Sequence, residues 1–130
     1  MRIIKGGRAG LPAELRTATF TGTVWGDPVL NETDGVTINS VSFAPGARTY
    51  WHSHEGGQIL IVTSGAGRVY DRRGEGGQIT TGDVVFIEPG VEHWHGAGPA
   101  TAMSHIAIQE KLDGRNVDWM EKVSDEQYGR

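Results

Sequence analysis

Apolar and polar residues alternate with a period of two through most of the stretch from residue 36 to residue 110, in short runs rich in Val, Ile, Thr and aromatics that glycines interrupt. Alternation of this kind sends successive side chains to opposite faces of an extended strand, so it predicts a half-buried antiparallel sheet. The predicted strands are "TFTGTV" (19–24), "VTINSVSF" (36–43), "GQILIVTSG" (57–65), "GRVYDRR" (67–73), "GDVVFIE" (82–88) and "TAMSHIAIQE" (101–110). Gly65, Gly67, Gly74, Gly76 and Gly77 are expected to punctuate hairpins. Many short strands and tight turns argue for an all-β fold closed around one core.

The C-terminal stretch "LDGRNVDWMEKVSDEQYGR" abandons the alternation. Ser124 followed by "DEQ" predicts a capped short helix, with Trp119, Met120 and Val123 as a small apolar group. Residues 111–130 are therefore expected to form a tail over the barrel mouth or against a neighbouring subunit. Residues 1–17 have no period and read as an arm free to pair with another subunit.

Composition narrows this picture. A chain of 130 residues fits a single domain, 1–130. Its 37% hydrophobic and 22% charged residues, with no apolar run near the roughly 20 residues that span a bilayer, argue against a membrane partner. The N-terminus lacks the apolar core of a secretory signal, so a cytoplasmic location is expected. With no cysteine, disulfides, thiolate ligands and a cysteine nucleophile are excluded. The net charge is −4 and Arg72–Arg73 is the one adjacent basic pair, which argues against nucleic acid as a partner. "GAG" and "GEGG" superficially resemble phosphate loops, but neither opens a helix.

The five histidines are His52, His54, His93, His95 and His105, in three separate segments. By strand alternation His52 and His54 share a face, as do His93 and His95; His105 shares one with Met103, Ala107 and Gln109. If these faces line a barrel interior, three segments aim imidazole at one place. Imidazole is the commonest ligand for first-row divalent metals, and the alternative is an empty barrel whose histidines only hydrogen-bond.

Both pairs sit inside longer patterns. Gly46, "ARTYW", His52-Ser53-His54, "EGG", Gln58, "ILIVTS", Gly65 resembles the first motif of the cupin superfamily, with Gln58 in place of its acid. Gly82, "DVVFI", Glu88-Pro89-Gly90, "VE", His93 resembles the second, with Glu88 in place of a proline and Ala97 where an asparagine often lies. The resemblance implies a cupin-type small β-barrel, a double-stranded β-helix or jelly roll, holding one metal through His52, His54, Gln58 and His93. Glu55 is expected to face solvent. The segments "FTGTV", "PGARTYWHSH", "GQILIVTSGAG", "HWHGAGPATAMSHIAIQE" and "LDGRNVDWMEKVSDEQY" are similar to the small bacterial cupin hydroxynitrile lyases, or mandelonitrile lyases. That narrower resemblance implies an (R)-hydroxynitrile lyase-like enzyme in a homo-oligomer, dimer or tetramer, acting on a small molecule. It also implies Mn(II) as the metal, while a donor set of nitrogen and neutral oxygen equally suits Fe(II), Zn, Ni or Co. It points to Thr49, His95, His105 and Gln109 as pocket residues. Asn39 and Val41, inward by alternation, join them, and Asn39 is larger than the family pattern leads one to expect.

Three neutral imidazoles and a neutral amide leave a dication its full formal charge. A less compensated ion is the stronger Lewis acid and lowers the pKa of a bound hydroxyl further. Gln58 thus favours non-redox chemistry on an oxygen-bearing substrate, with His105 expected to accept the proton of a cyanohydrin hydroxyl. Gln109 is expected to contact the nitrile or orient His105, and His95 to support the site or donate to departing cyanide. Trp51 and Trp94 are read as apolar wall or packing. An Fe(II)-dependent cupin dioxygenase and a non-catalytic, metal-containing small-molecule binder are the competing readings.

Overall fold

A computed structural model describes residues 1–7, 13–31 and 35–129. After a 3-10 turn at Lys5–Gly7 come β1 (Glu14–Leu15), β2 (Phe20–Thr21), β3 (Val24–Asn31), β4 (Gly35–Phe43), β5 (Arg48–Thr49), β6 (His52–Ser53), β7 (Gln58–Asp71), β8 (Gly76–Thr80), β9 (Val84–Ile87), β10 (His93–Ala97), β11 (Met103–Lys111), β12 (Asp118–Trp119) and α1 (Asp125–Tyr128). Among the described residues these strands pair antiparallel. One sheet runs β1-β3-β4-β11-β7-β9, and a second joins β8, β7, β10, β5 and β2, with β6 and β12 at its edge.

β7 belongs to both sheets, and this is what curls them into a cupin barrel. Gln58 to Ile61 pair with β9, Ile59 to Gly65 pair with β11, and Ala66 to Asp71 turn to β8 and β10. The expected strands 57–65 and 67–73 are therefore one strand, and Gly65 and Gly67 are not hairpin glycines. Gly65 has φ 75° and a Cβ there would overlap the Ala102 carbonyl, so glycine allows the bend without a turn. Gly74 and Gly76 do serve the β7–β8 hairpin.

The predicted 19–24 strand is two pieces: β2 joins the second sheet, and β3 begins at Val24 in the first. β3 continues through Pro28, where the register shifts, which is why alternation failed to announce it. Part of the arm, 1–17, pairs within this same chain, Glu14 and Leu15 with Gly26 and Trp25, and residues 8–12 of it lie outside the described residues.

Inward residues of both sheets, among them Val24, Phe43, Leu60, Val62, Ile79 and Met103, fill the closed end of the barrel. The tail divides its work. Trp119 lies at the cavity mouth against Phe20, while Val123 and Tyr128 pack with Trp51 and Trp94 on the outer face of the second sheet. Trp51 and Trp94 are thus packing, not cavity wall. α1 carries the expected capping box, Ser124 accepting from the Gln127 N–H and Gln127 returning its side chain to the Ser124 N–H. Glu55 is exposed.

Candidate metal centre and active site

The histidines converge because short strands alternate. His52 pairs with His93 across β6 and β10, and two positions on, His95 lies on the same face of β10. β11 brings His105 opposite Val41 on one side and Val62 on the other, with Met103, His105, Ala107 and Gln109 all buried as alternation requires. The barrel encloses a cavity of about 720 Å³. His52, His54, Gln58, His95, His105 and Gln109 line it, as do Thr49, Asn39 and Val41; His93 adjoins the group through Gln58. The expected ligands and pocket residues lie in or beside this one cavity, whereas Trp51 and Trp94 do not line it.

Hydrogen bonds fix the state of three rings. The Nδ1 of His52 lies 2.9 Å from the Tyr50 carbonyl, that of His93 lies 2.9 Å from the Val91 carbonyl, and that of His54 meets the Asn116 carbonyl. A carbonyl only accepts, so Nδ1 carries the proton and Nε2 keeps a bare lone pair. Burial reinforces this neutral form. It pushes His93 and His105 down to about 4, and His52, His54 and His95 also fall below the usual histidine value, mainly through desolvation.

Gln58 sharpens the point. Its Nε2 donates to Gln109 Oε1 at 3.1 Å, and Gln109 Nε2 donates to Thr37 Oγ1 at 2.7 Å, so the amide chain turns Gln58 Oε1 inward. That oxygen lies 3.0 Å from His93 Nε2. With the His93 proton committed to Val91, two acceptors face each other, and a cation between such groups resolves the conflict. His54 Nε2 is likewise buried without a partner. The donor set fits a divalent first-row metal.

Among the described residues, His52, His93 and His95 form a three-nitrogen group within 4.8 Å of one another and able to hold a metal ion. The two sets differ in exchanging His54 for His95, whose rings stand equally far from His52, at 5.2 Å. Their Nδ1 partners separate them. His95 Nδ1 contacts another ring, His105 Nε2, at 2.9 Å, so its tautomer is free, whereas a carbonyl dictates that of His54. Fixed outer hydrogen bonds are the mark of a ligating histidine, which favours His54 as ligand and leaves His95 with His105.

Thr49 braces β10 by accepting the His95 backbone N–H at 3.2 Å. Gln109 is committed to Gln58 and Thr37 instead of orienting His105. Sequence reasoning missed Thr37, although it shares the inward face of β4 with Asn39 and Val41, and it missed Asn116, which acts through a backbone carbonyl that no side-chain pattern reveals.

Comparison with known proteins follows the same lines. A protein named (R)-mandelonitrile lyase from Granulicella tundricola is 56% identical over 113 residues, covering 85% of this chain and 86% of the relative. A cupin-like protein from Thermotoga maritima superposes with a TM-score of 0.85 at 38% identity, over 92% of this chain and 93% of that one. A polyketide cyclase from Streptomyces resistomycificus shares the fold at 18% identity, TM-score 0.73, over 98% and 90% of the two chains. The cupin domain pattern matches residues 39–106, and the chain belongs to the cupin domain family.

Proposed function

We propose that this chain is a metal-dependent hydroxynitrile lyase that reversibly cleaves a cyanohydrin, such as mandelonitrile, to an aldehyde or ketone and hydrogen cyanide. The observation that carries this reading is the bare-acceptor pair of His93 Nε2 and Gln58 Oε1, 3.0 Å apart, beside two histidines set apart as a proton relay. The 56% identity to a protein named (R)-mandelonitrile lyase supports the same reaction class. Mn(II) is the proposed metal, held by His52, His54, Gln58 and His93, and a dication bound there would act as a Lewis acid on the hydroxyl oxygen.

His105 is neutral because burial disfavours its charged form, and its Nδ1 is buried without a hydrogen-bond partner, free to accept the hydroxyl proton. Its Nε2 is 2.9 Å from His95 Nδ1, so a proton taken up at His105 Nδ1 releases the one on Nε2 to His95. His95 Nε2 is buried with no hydrogen-bond partner, free to return a proton to departing cyanide, and the ring stands beside those of His52 and His93. The carbon–cyanide bonding pair leaves with cyanide while the hydroxyl oxygen becomes the carbonyl. Asn39 and Val41 bound the space left for the organic group.

Mn(II)-reconstituted protein should release benzaldehyde and cyanide from mandelonitrile, and His105→Ala should retain bound manganese but lose turnover. Oxygen uptake with Fe(II), in the absence of cyanide release, would replace the lyase with a dioxygenase. Metal uptake with no turnover of either kind would leave a binding protein. We further propose that the enzyme works as a homo-oligomer through the outer face of its first sheet.

A further inference from the structure

The N-terminal arm brings a permanent cation to this cavity. Among the described residues lining it, Arg16 is the one arginine or lysine and Glu14 the one carboxylate. Glu14 stands opposite Gly26 of β3, and the Arg16 N–H donates to the Val24 carbonyl at 2.8 Å. That register turns Glu14 and Arg16 to the interior side of the sheet, the side of buried Val24.

Gly26 is the seat. A Cβ there would lie 2.8 Å from Arg16 Nη2 and 2.9 Å from its Cζ, so any other side chain would displace the guanidinium. No positive φ calls for glycine at this position, which leaves room for Arg16 as its evident use. The guanidinium meets one carboxylate among the described residues, Glu14 at 3.5 Å, with the two side chains 34% and 57% exposed. Such a partner holds weakly. A ligand carboxylate making two parallel N–H···O bonds would displace it.

Gly26 pairs with Val41, and Val41 pairs with His105. The seat is therefore two strand spacings, about 10 Å, from the His105 backbone. A benzene ring bearing a hydroxyl-carrying carbon and a carboxylate para to each other bridges a gap of that order.

We propose that Arg16 receives a carboxylate at the end of the substrate remote from the reacting hydroxyl. The preferred class is then a carboxylate-bearing aryl or similarly sized cyanohydrin or aldehyde. The substrate class rests on the lyase reading, whereas the carboxylate site does not.

Calorimetric titration of the Mn(II)-loaded protein with 4-(hydroxymethyl)benzoate and with benzyl alcohol reads the preference without turnover. The carboxylate compound should bind about tenfold more tightly, and Arg16→Gln should erase the difference. Gly26→Val, which fills the seat but keeps the arginine, should erase it as well; Arg16→Gln decides the matter if that variant does not fold. A preference unchanged in Arg16→Gln would put the carboxylate on the metal and overturn the proposal. Mandelonitrile cleavage by the native protein tests the lyase reading separately. Its absence, with an Arg16-dependent preference intact, would sink the lyase and leave the carboxylate site standing.

Discussion

At the scale of single residues, Gln58 decides the chemistry because it answers to two neighbours at once. Its oxygen faces His93 Nε2 and its nitrogen donates to Gln109 Oε1. In Gln58→Glu a carboxylate would cancel part of the ion's charge and also face the Gln109 oxygen without a proton, pulling that amide away from Thr37. We expect tighter manganese binding and a kcat lower by about tenfold or more, since a weaker Lewis acid acidifies the hydroxyl less; metal titration beside steady-state kinetics checks both. The buried rings also set a pH dependence. His93 and His105 sit at about 4, against 6.5 for an unperturbed histidine, so below pH 6.5 the unfolded chain binds more protons than the folded one. Their contribution to stability is therefore complete above pH 6.5, declines as pH falls, and is gone below about 4. Urea midpoints of the chelator-treated protein should drop across that window, and Mn(II) at neutral pH should raise the melting temperature in a concentration-dependent way.

Elements turn these residues into a site, and the tail matters more than its length suggests. Arg48 Nη2 donates to the Val123 carbonyl at 3.1 Å and to Asp125 at 2.7 Å, and Tyr128 Oη donates to the Ala97 carbonyl at 2.7 Å beside the guanidinium groups of Arg48 and Arg68. These contacts hold the tail against β10, the strand that carries His93 and His95. Tyr128→Phe loses one buried hydrogen bond and should cost about 1 kcal/mol, whereas Tyr128→Ala also empties the ring's place and should cost about 3 kcal/mol, read from denaturant midpoints. Elements also mark where the sequence was legible. β4, β9 and β11 follow plain alternation, so their inward faces, including Asn39, Val41, His105 and Gln109, could be read directly. The ring-bearing motifs were legible because ligand spacing is a matter of side chains. β3 was not, because Pro28 and Gly26 mask a strand whose hydrogen bonds survive a register shift. The unity of β7 was hidden because a glycine that bends a strand and one that ends it look alike until the partner strands are known. Asn116 was hidden because its contribution is a carbonyl.

For the molecule as a whole, what remains to be satisfied is the outside of the first sheet. Strand register lines up Phe86, Ile59, Ile108, Ile38 and Leu30 across five strands, with Val84, Ile61 and Ile106 in the next row. Val84 and Phe86 are 64% and 63% exposed, and Ile59 36%. A contiguous apolar face of this breadth is uncommon on a free monomer. No charged side chain interrupts these two rows up to β4, and a broad sheet face suits a second copy related by a two-fold axis, since an isologous contact sets the same rows against themselves. The cavity opens on the opposite side of this sheet, so association there leaves the metal ligands untouched. Light scattering coupled to gel filtration should find the native protein at a multiple of its monomer mass, and Val84→Lys with Phe86→Lys should reduce it to one copy, because paired facing charges cannot be buried. The double variant should keep its Mn(II) affinity, which separates loss of assembly from loss of fold. A native chain that runs as a monomer at every concentration would leave the apolar rows to some other partner and defeat this reading of the sheet.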